Sequence, residues 1–174
     1  MRTHKLPRVL VPVTLFTILS SAQADVKLPA LFSDNMVLQR GMNVPIWGWA
    51  DEGEEVTVTF RGKTVKATPA KEGKWMVKLP SQKPGAPETL AIQGKNRIEL
   101  TNVLVGDVWV CSGQSNMEWP LSSSFEPGND ITNSANSQLR VFLVTKAKAE
   151  APRQDVKGSW KESGPNSTRG FSAV

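Results

Sequence analysis

The sequence predicts a mixed fold: an all-β antiparallel sandwich over residues 25–103, followed over residues 104–174 by the beginning of an α/β unit. Three observations carry this. Short segments of alternating apolar and polar residues recur between turn signals up to about Val103, with no helical period between them. A nearly continuous apolar run, Val108 to Cys111, then ends in small polar residues, as a buried parallel strand does where it reaches the rim of a sheet. Beyond it the composition shifts to Ser, Asn and Gly before a second apolar run at Leu139–Val144.

In the first part, Val44-Pro45-Ile46-Trp47-Gly48-Trp49 forms one candidate strand. Val56, Val58 and Phe60 alternate with Thr57 and Thr59 in another, and Trp75, Val77 and Leu79 mark a third. Leu90 with Ile92, and Ile98 with Leu100, supply two further inward-facing pairs, while Arg61-Gly62-Lys63, Lys71-Glu72-Gly73 and Gln93-Gly94-Lys95-Asn96 punctuate the strands. Some 80 residues can bury a modest core of their own. Trp47 and Trp49 could stack on a pyranose face. Packing into a core or against a neighbouring unit is the stronger reading, because one aromatic face of a strand is ordinarily covered.

Residues 1–24 have the three parts of an export signal: Arg2, Lys5 and Arg8, then a mostly apolar Val9–Leu19, then Ala22-Gln23-Ala24. The apolar part is shorter than the roughly 20 residues of a bilayer span, and Pro12 interrupts it. Cleavage is expected after Ala24, giving a secreted or periplasmic chain with no membrane span. The whole sequence has 21 basic and 16 acidic residues. Three of the basic ones lie in this segment, which leaves 18 against 16, a net +2. The remaining cations are scattered among acids, so no nucleic-acid footprint is present.

His4, the only histidine, also lies in that segment. The rest of the chain therefore has no imidazole for a general base or a metal site. Cys111 is the only cysteine, so no internal disulfide forms, and its place at the end of an apolar run suggests a small buried hydrophobe.

The chemistry concentrates at Val105-Gly106-Asp107-Val108-Trp109-Val110-Cys111-Ser112-Gly113-Gln114-Ser115-Asn116-Met117-Glu118-Trp119-Pro120. A serine nucleophile must stand clear of its strand so that a carbonyl carbon can approach to about 3 Å while backbone N–H groups face the developing oxyanion. Gly113 removes bulk beside Ser115, and the amides of Gln114 and Asn116 flank it. Ser115 followed by Glu118 also has the spacing of a helix capping box. Pro120 argues against a helix continuing there, and one serine can be both cap and nucleophile.

Ser112–Pro120, preceded by Val105-Gly106-Asp107-Val108-Trp109, resembles the nucleophile block of the sialate O-acetylesterase family, within the SGNH hydrolase superfamily. Leu31-Phe32-Ser33-Asp34-Asn35-Met36-Val37-Leu38-Gln39-Arg40 resembles that family's N-terminal signature, and the likeness covers the chain from about Leu28 to its last residue. It implies an SGNH, flavodoxin-like hydrolase domain beginning near residue 104. Ser115 would be the nucleophile, with its own N–H in the oxyanion hole, supported by Gly113, Gln114 and Asn116. The implied substrate is an O-acetylated sugar or glycan, and no metal or organic cofactor is required. The family's later aspartate and histidine motif is absent from these 174 residues. The chain is accordingly expected to be an N-terminal portion, inactive alone. The alternative is a non-catalytic exported β-sandwich that binds carbohydrate or protein and retains a remnant serine turn.

After the serine block, Ser122–Gln138 reads as a long loop, and Leu139–Val144 as a strand parallel to Val108–Cys111. Lys146–Lys157 reads as a solvated connection anchored by Trp160. Asn166-Ser167-Thr168 matches a glycosylation sequon, and Gly170–Val174 looks like the first turn of a helix.

Overall fold

A computed structural model describes residues 25–70 and 72–174; the expected export signal lies outside the described residues. The structure is mostly β with few helices. Its strands are β1 (Val37–Gln39), β2 (Val44–Trp49), β3 (Val56–Phe60), β4 (Lys63–Ala67), β5 (Lys74–Leu79), β6 (Glu88–Gln93), β7 (Arg97–Gly106), β8 (Asn136–Phe142) and β9 (Trp160–Ser163). Two short helices, α1 (Gly128–Thr132) and α2 (Pro165–Thr168), lie on either side of β8 and β9 in sequence.

Alternation determines which face of each strand is buried. In β3, Val56, Val58 and Phe60 are buried. In β5, Trp75, Val77 and Leu79 are buried while Lys74, Met76 and Lys78 face out. A five-stranded sheet in the order β1-β7-β6-β3-β4 and a two-stranded sheet β2-β5 pool these faces into one core, with Ile46, Leu90 and Ile92 fully enclosed. A third, two-stranded sheet pairs β8 with β9. The sheets are not wholly antiparallel as expected: β1 runs parallel to β7, pairing Val37 with Leu104 and Gln39 with Gly106.

β7 is bulged. Leu90 faces Leu100 but Glu88 faces Val103, so β7 carries one extra residue, and Asn102 absorbs it at a φ of 56°. Asparagine tolerates this left-handed conformation better than most side chains. Past the bulge Val103, Leu104 and Val105 are all buried, because the strand is covered on both sides there.

Several expectations are corrected. Val108–Cys111 forms no strand: Trp109 is 84% and Val110 93% exposed, and Cys111 is exposed rather than buried. An apolar run becomes a strand only where a neighbour takes its backbone hydrogen bonds, and no described strand lies beside it. The second apolar run is strand β8, beginning at Asn136, and it pairs antiparallel with β9 instead of parallel with Val108–Cys111. Ser122–Gln138 is not wholly loop, since a 3₁₀ turn at Leu121–Ser123, α1 and the start of β8 occupy it. Gly170–Val174 is not helical: Ser172 bridges to Pro120, and Ala173 N–H donates to the Trp119 carbonyl at 2.9 Å. Lys146–Lys157 is an exposed connection, closed by Thr145 N–H to the Lys157 carbonyl at 2.8 Å. Trp160 packs against the core and donates from Nε1 to the Leu31 carbonyl at 2.9 Å.

Candidate active site

The polar residues of Leu31–Arg40 run alongside β7 and grip it at both ends. Asp34 accepts the Thr101 N–H at 2.7 Å and its hydroxyl at 3.0 Å; Asn35, itself at a φ of 65°, donates its N–H to the Thr101 carbonyl at 3.0 Å. Met36 and Leu38 enter the core between these contacts. At the other end Arg40 N–H donates to the Gly106 carbonyl at 2.8 Å, and Gln39 Oε1 accepts the Val108 N–H at 2.8 Å. Arg40 Nε pairs with Asp107 at 2.8 Å, and this hydrogen bond raises the guanidinium above its ordinary pKa. The two signature stretches are thus in contact, and the first sets the direction in which the second leaves the sheet.

Eight residues beyond Asp107, Ser115 opens a 3₁₀ turn, Ser115–Glu118, and is exposed. Gln114 occupies the cap position, and no side chain caps the turn. The capping-box reading is therefore not realised; Glu118 instead pairs with Lys146 Nζ. The Gln114 carbonyl accepts Met117 N–H at 2.9 Å and the Asn116 carbonyl accepts Trp119 N–H at 3.0 Å, so both flanking residues shape the turn through their backbones. Among the described residues, the side chains of Gln114, Ser115 and Asn116 have no hydrogen-bond partner and stand open to solvent. A Cβ on Gly113 would sit 3.1 Å from Met117 Cγ, which is tight but faces a flexible side chain. The turn closes at Trp119, and Pro120 follows as the cap of a second 3₁₀ turn, Leu121–Ser123.

The far end of the turn is tied to the C-terminal residues. Leu121 N–H donates to the Phe171 carbonyl at 2.9 Å and Ser122 N–H to the Arg169 carbonyl at 3.0 Å. Trp119 Nε1 closes onto the Ser123 carbonyl at 3.0 Å. Beside the turn lies a cleft of about 530 Å³ lined by Val105, Val108, Cys111, Leu139, Phe142 and Phe171 among others; Ser115 is not part of its wall. Trp47 and Trp49, half-buried, meet edge to face with centroids 5.4 Å apart, and Phe32 meets Trp47 the same way at 6.0 Å. Their rings contact one another first, the packing expected of a covered aromatic face.

Among the described residues no group of three or more His, Cys, Asp or Glu could hold a metal ion, and no helix is long and apolar enough to cross a membrane. The roles of Asp34, Gln39 and Arg40 in holding β7 were not evident from composition or period. Their one signal is a cluster of polar residues interrupting an otherwise apolar stretch.

No protein-family model matches the chain. Individual proteins do. The chain is 36% identical over 149 residues to the sialate O-acetylesterase of Pongo abelii and equally to that of Homo sapiens, matching 78% of this chain in each case. It is 37% identical over 150 residues to that of Rattus norvegicus. The chain spans 28% of the length of these relatives. Its structure superposes on the crystal structure of a carbohydrate acetylesterase from Xanthomonas citri with a TM-score of 0.83 and 36% identity, covering 86% of this chain and 35% of that one. Fold and sequence together make the chain similar to ester-cleaving hydrolases over this part of their length, with a fold similar to that of a carbohydrate acetylesterase. Among named proteins, the chain is homologous to the sialate O-acetylesterases over the matching part of their length.

Proposed function

We propose that these residues belong to an exported serine esterase that removes O-acetyl groups from sugars, with Ser115 as nucleophile. In this reading residues 25–103 are a β-sandwich and residues 104–174 open an SGNH-type catalytic domain. The observation that carries it is the placement of Ser115: it heads a tight turn held at both ends, and its hydroxyl is exposed with no partner among the described residues. A serine that only capped a helix would have its hydroxyl engaged by the turn.

The Ser115 hydroxyl attacks the acetyl carbonyl carbon, and a base takes its proton. The oxyanion that forms is met by backbone N–H groups, Ser115's own among them, and the sugar hydroxyl leaves with a proton. Water then attacks the acyl-enzyme, releases acetate and restores the serine. Gly113 leaves room for the approaching ester, and the free amide side chains of Gln114 and Asn116 are placed to bond the substrate. No histidine lies in residues 25–174, so an imidazole base is not among them.

The test is a chimera in which residues 25–174 replace the matching part of the Xanthomonas citri acetylesterase. Ser115→Ala is expected to lower turnover of an acetylated sugar by about a thousandfold or more, because members of a catalytic triad act as a unit. Ser112→Ala, three residues earlier, is expected to stay within a few-fold of the parent. An active Ser115→Ala chimera beside an inactive Ser112→Ala chimera would refute the assignment.

A further inference from the structure

Arg140 is a buried cation for which the proposed chemistry has no use. Its side chain is 0% exposed, whereas its ionic partner Glu162 remains 47% exposed. Nη2 lies 3.2 Å from Glu162 Oε1 and 3.2 Å from Asn102 Oδ1, and Nη1 donates to the Ser137 carbonyl. Asn102 completes the cluster: its Nδ2 donates to Glu162 Oε1 at 2.6 Å and to Asn35 Oδ1 at 2.8 Å. One guanidinium therefore joins β8, β9, the bulge of β7 and the loop before β1. Asn35, which reaches the guanidinium only through Asn102, and Asn102 itself both have left-handed backbone conformations. Arg140 Nε is buried without a partner, so the two Nη groups carry all the contacts that hold this charge, and losing them would leave it uncompensated.

From this cluster a short chain of bonds leads to the serine turn. The Glu162 carbonyl accepts the Ser167 hydroxyl at 2.6 Å, fixing α2 to β9. Thr168 Oγ1 lies 2.9 Å from the Ser134 hydroxyl, and Ser163 Oγ donates to the Ser134 carbonyl at 2.6 Å. The residues just after α2 are those that hold the turn: the carbonyls of Arg169 and Phe171 accept from Ser122 and Leu121, and Ala173 N–H donates to Trp119.

We propose that Arg140 is a positioning residue for the Ser115 turn, acting through Glu162, β9 and α2. Its value for catalysis rests on the nucleophile reading above; the mechanical coupling does not. The coupling is read by amide hydrogen exchange, followed by NMR, in the 174-residue chain and its variants. Arg140→Met removes the charge and the fork of donors while keeping much of the stem. In that variant the amides of Leu121, Ser122 and Ala173 are expected to exchange about tenfold faster or more, while those of Val58 and Ile92 in the core stay within about twofold. Should Arg140→Met fail to fold, Glu162→Ala removes a half-exposed partner and is expected to shift the same three amides, by a smaller factor of about three. Unchanged protection at those amides would overturn the proposal. So would acceleration of every amide by one common factor, which would make Arg140 a general stabiliser. Both results are independent of whether Ser115 attacks an ester, which the chimera decides.

Discussion

Gly48→Ala probes how closely the N-terminal segment packs on β2. Lys27 and Trp49 exchange backbone hydrogen bonds, with Lys27 N–H to the Trp49 carbonyl at 2.8 Å and Trp49 N–H to the Lys27 carbonyl at 2.9 Å. A Cβ added at Gly48 would overlap the Lys27 carbonyl oxygen, and would also lie 3.1 Å from Trp75 Cζ2 and 3.3 Å from Leu28 Cδ2. A backbone oxygen cannot rotate aside, so the Val26–Leu28 segment must move and both bonds are lost or lengthened. Two such bonds contribute about 1 kcal/mol each. Crowding against Trp75 adds about 1–3 kcal/mol. The opposing gain from replacing a strand glycine is about 0.5–1 kcal/mol. A net loss of about 3 kcal/mol is expected, which at a urea slope of about 2 kcal/mol per molar lowers the unfolding midpoint by about 1.5 M. Fluorescence-monitored urea unfolding measures it. A neutral or stabilised variant would refute the close approach, because the glycine-replacement gain alone would then be seen.

Expression in a bacterium with intact secretion should give a chain cut between Ala24 and Asp25; an intact N-terminus by mass spectrometry would contradict this. The 174 residues alone should show no turnover of an aryl acetate that Ser115→Ala abolishes, because residues 25–174 contain no histidine to activate the hydroxyl. Cys111, exposed in the fold, should react with a thiol reagent at one equivalent without denaturant; labelling that requires urea would mean the Val108–Cys111 run is buried as a strand after all. Phe60→Ala should cost about 3–5 kcal/mol by the same urea assay, since the ring is fully enclosed in the core.

The strands that were legible in the sequence are those with one dry face. β2, β3, β5, β6 and the first half of β7 each place apolar residues at every second position, and burial follows that pattern. β4 escaped because it is an edge strand in which only Val65 and Ala67 turn toward the core, both just half-buried, which is too few positions to show a period. β1 escaped because three residues are too few to show a period and its partner lies 67 positions away, as Val37 with Leu104. The Val108–Cys111 run shows the converse limit: apolar content reports that a segment is suited to burial, while strand formation needs a neighbour. Ser115 could be singled out from the residues around it. The groups that hold its turn could not, because Gln39 to Val108 and Arg140 to Asn102 are long-range polar contacts that leave no periodic trace.

Which contacts fix the turn can be decided from their kind. The Glu118–Lys146 pair is well exposed at both ends, with side chains 55% and 75% accessible, and pairs of that sort contribute about 0–1 kcal/mol. The backbone contacts are different in character, because they act in a directional set. Three of them hold Trp119–Ser122 against the residues following α2, and Gln39 and Arg40 hold the chain where it leaves β7. Between these two clamps the run from Trp109 to Asn116 is exposed throughout. Ser115 is therefore placed from outside its own segment, by Leu31–Arg40 on one side and by β9 and α2 on the other. Both clamps meet at β7, through Asp34 and Asn35 at Thr101 and through Arg140 at Asn102. A change at either of those adjacent positions in β7 should thus reach the serine turn before it reaches the core formed by β3 and β6.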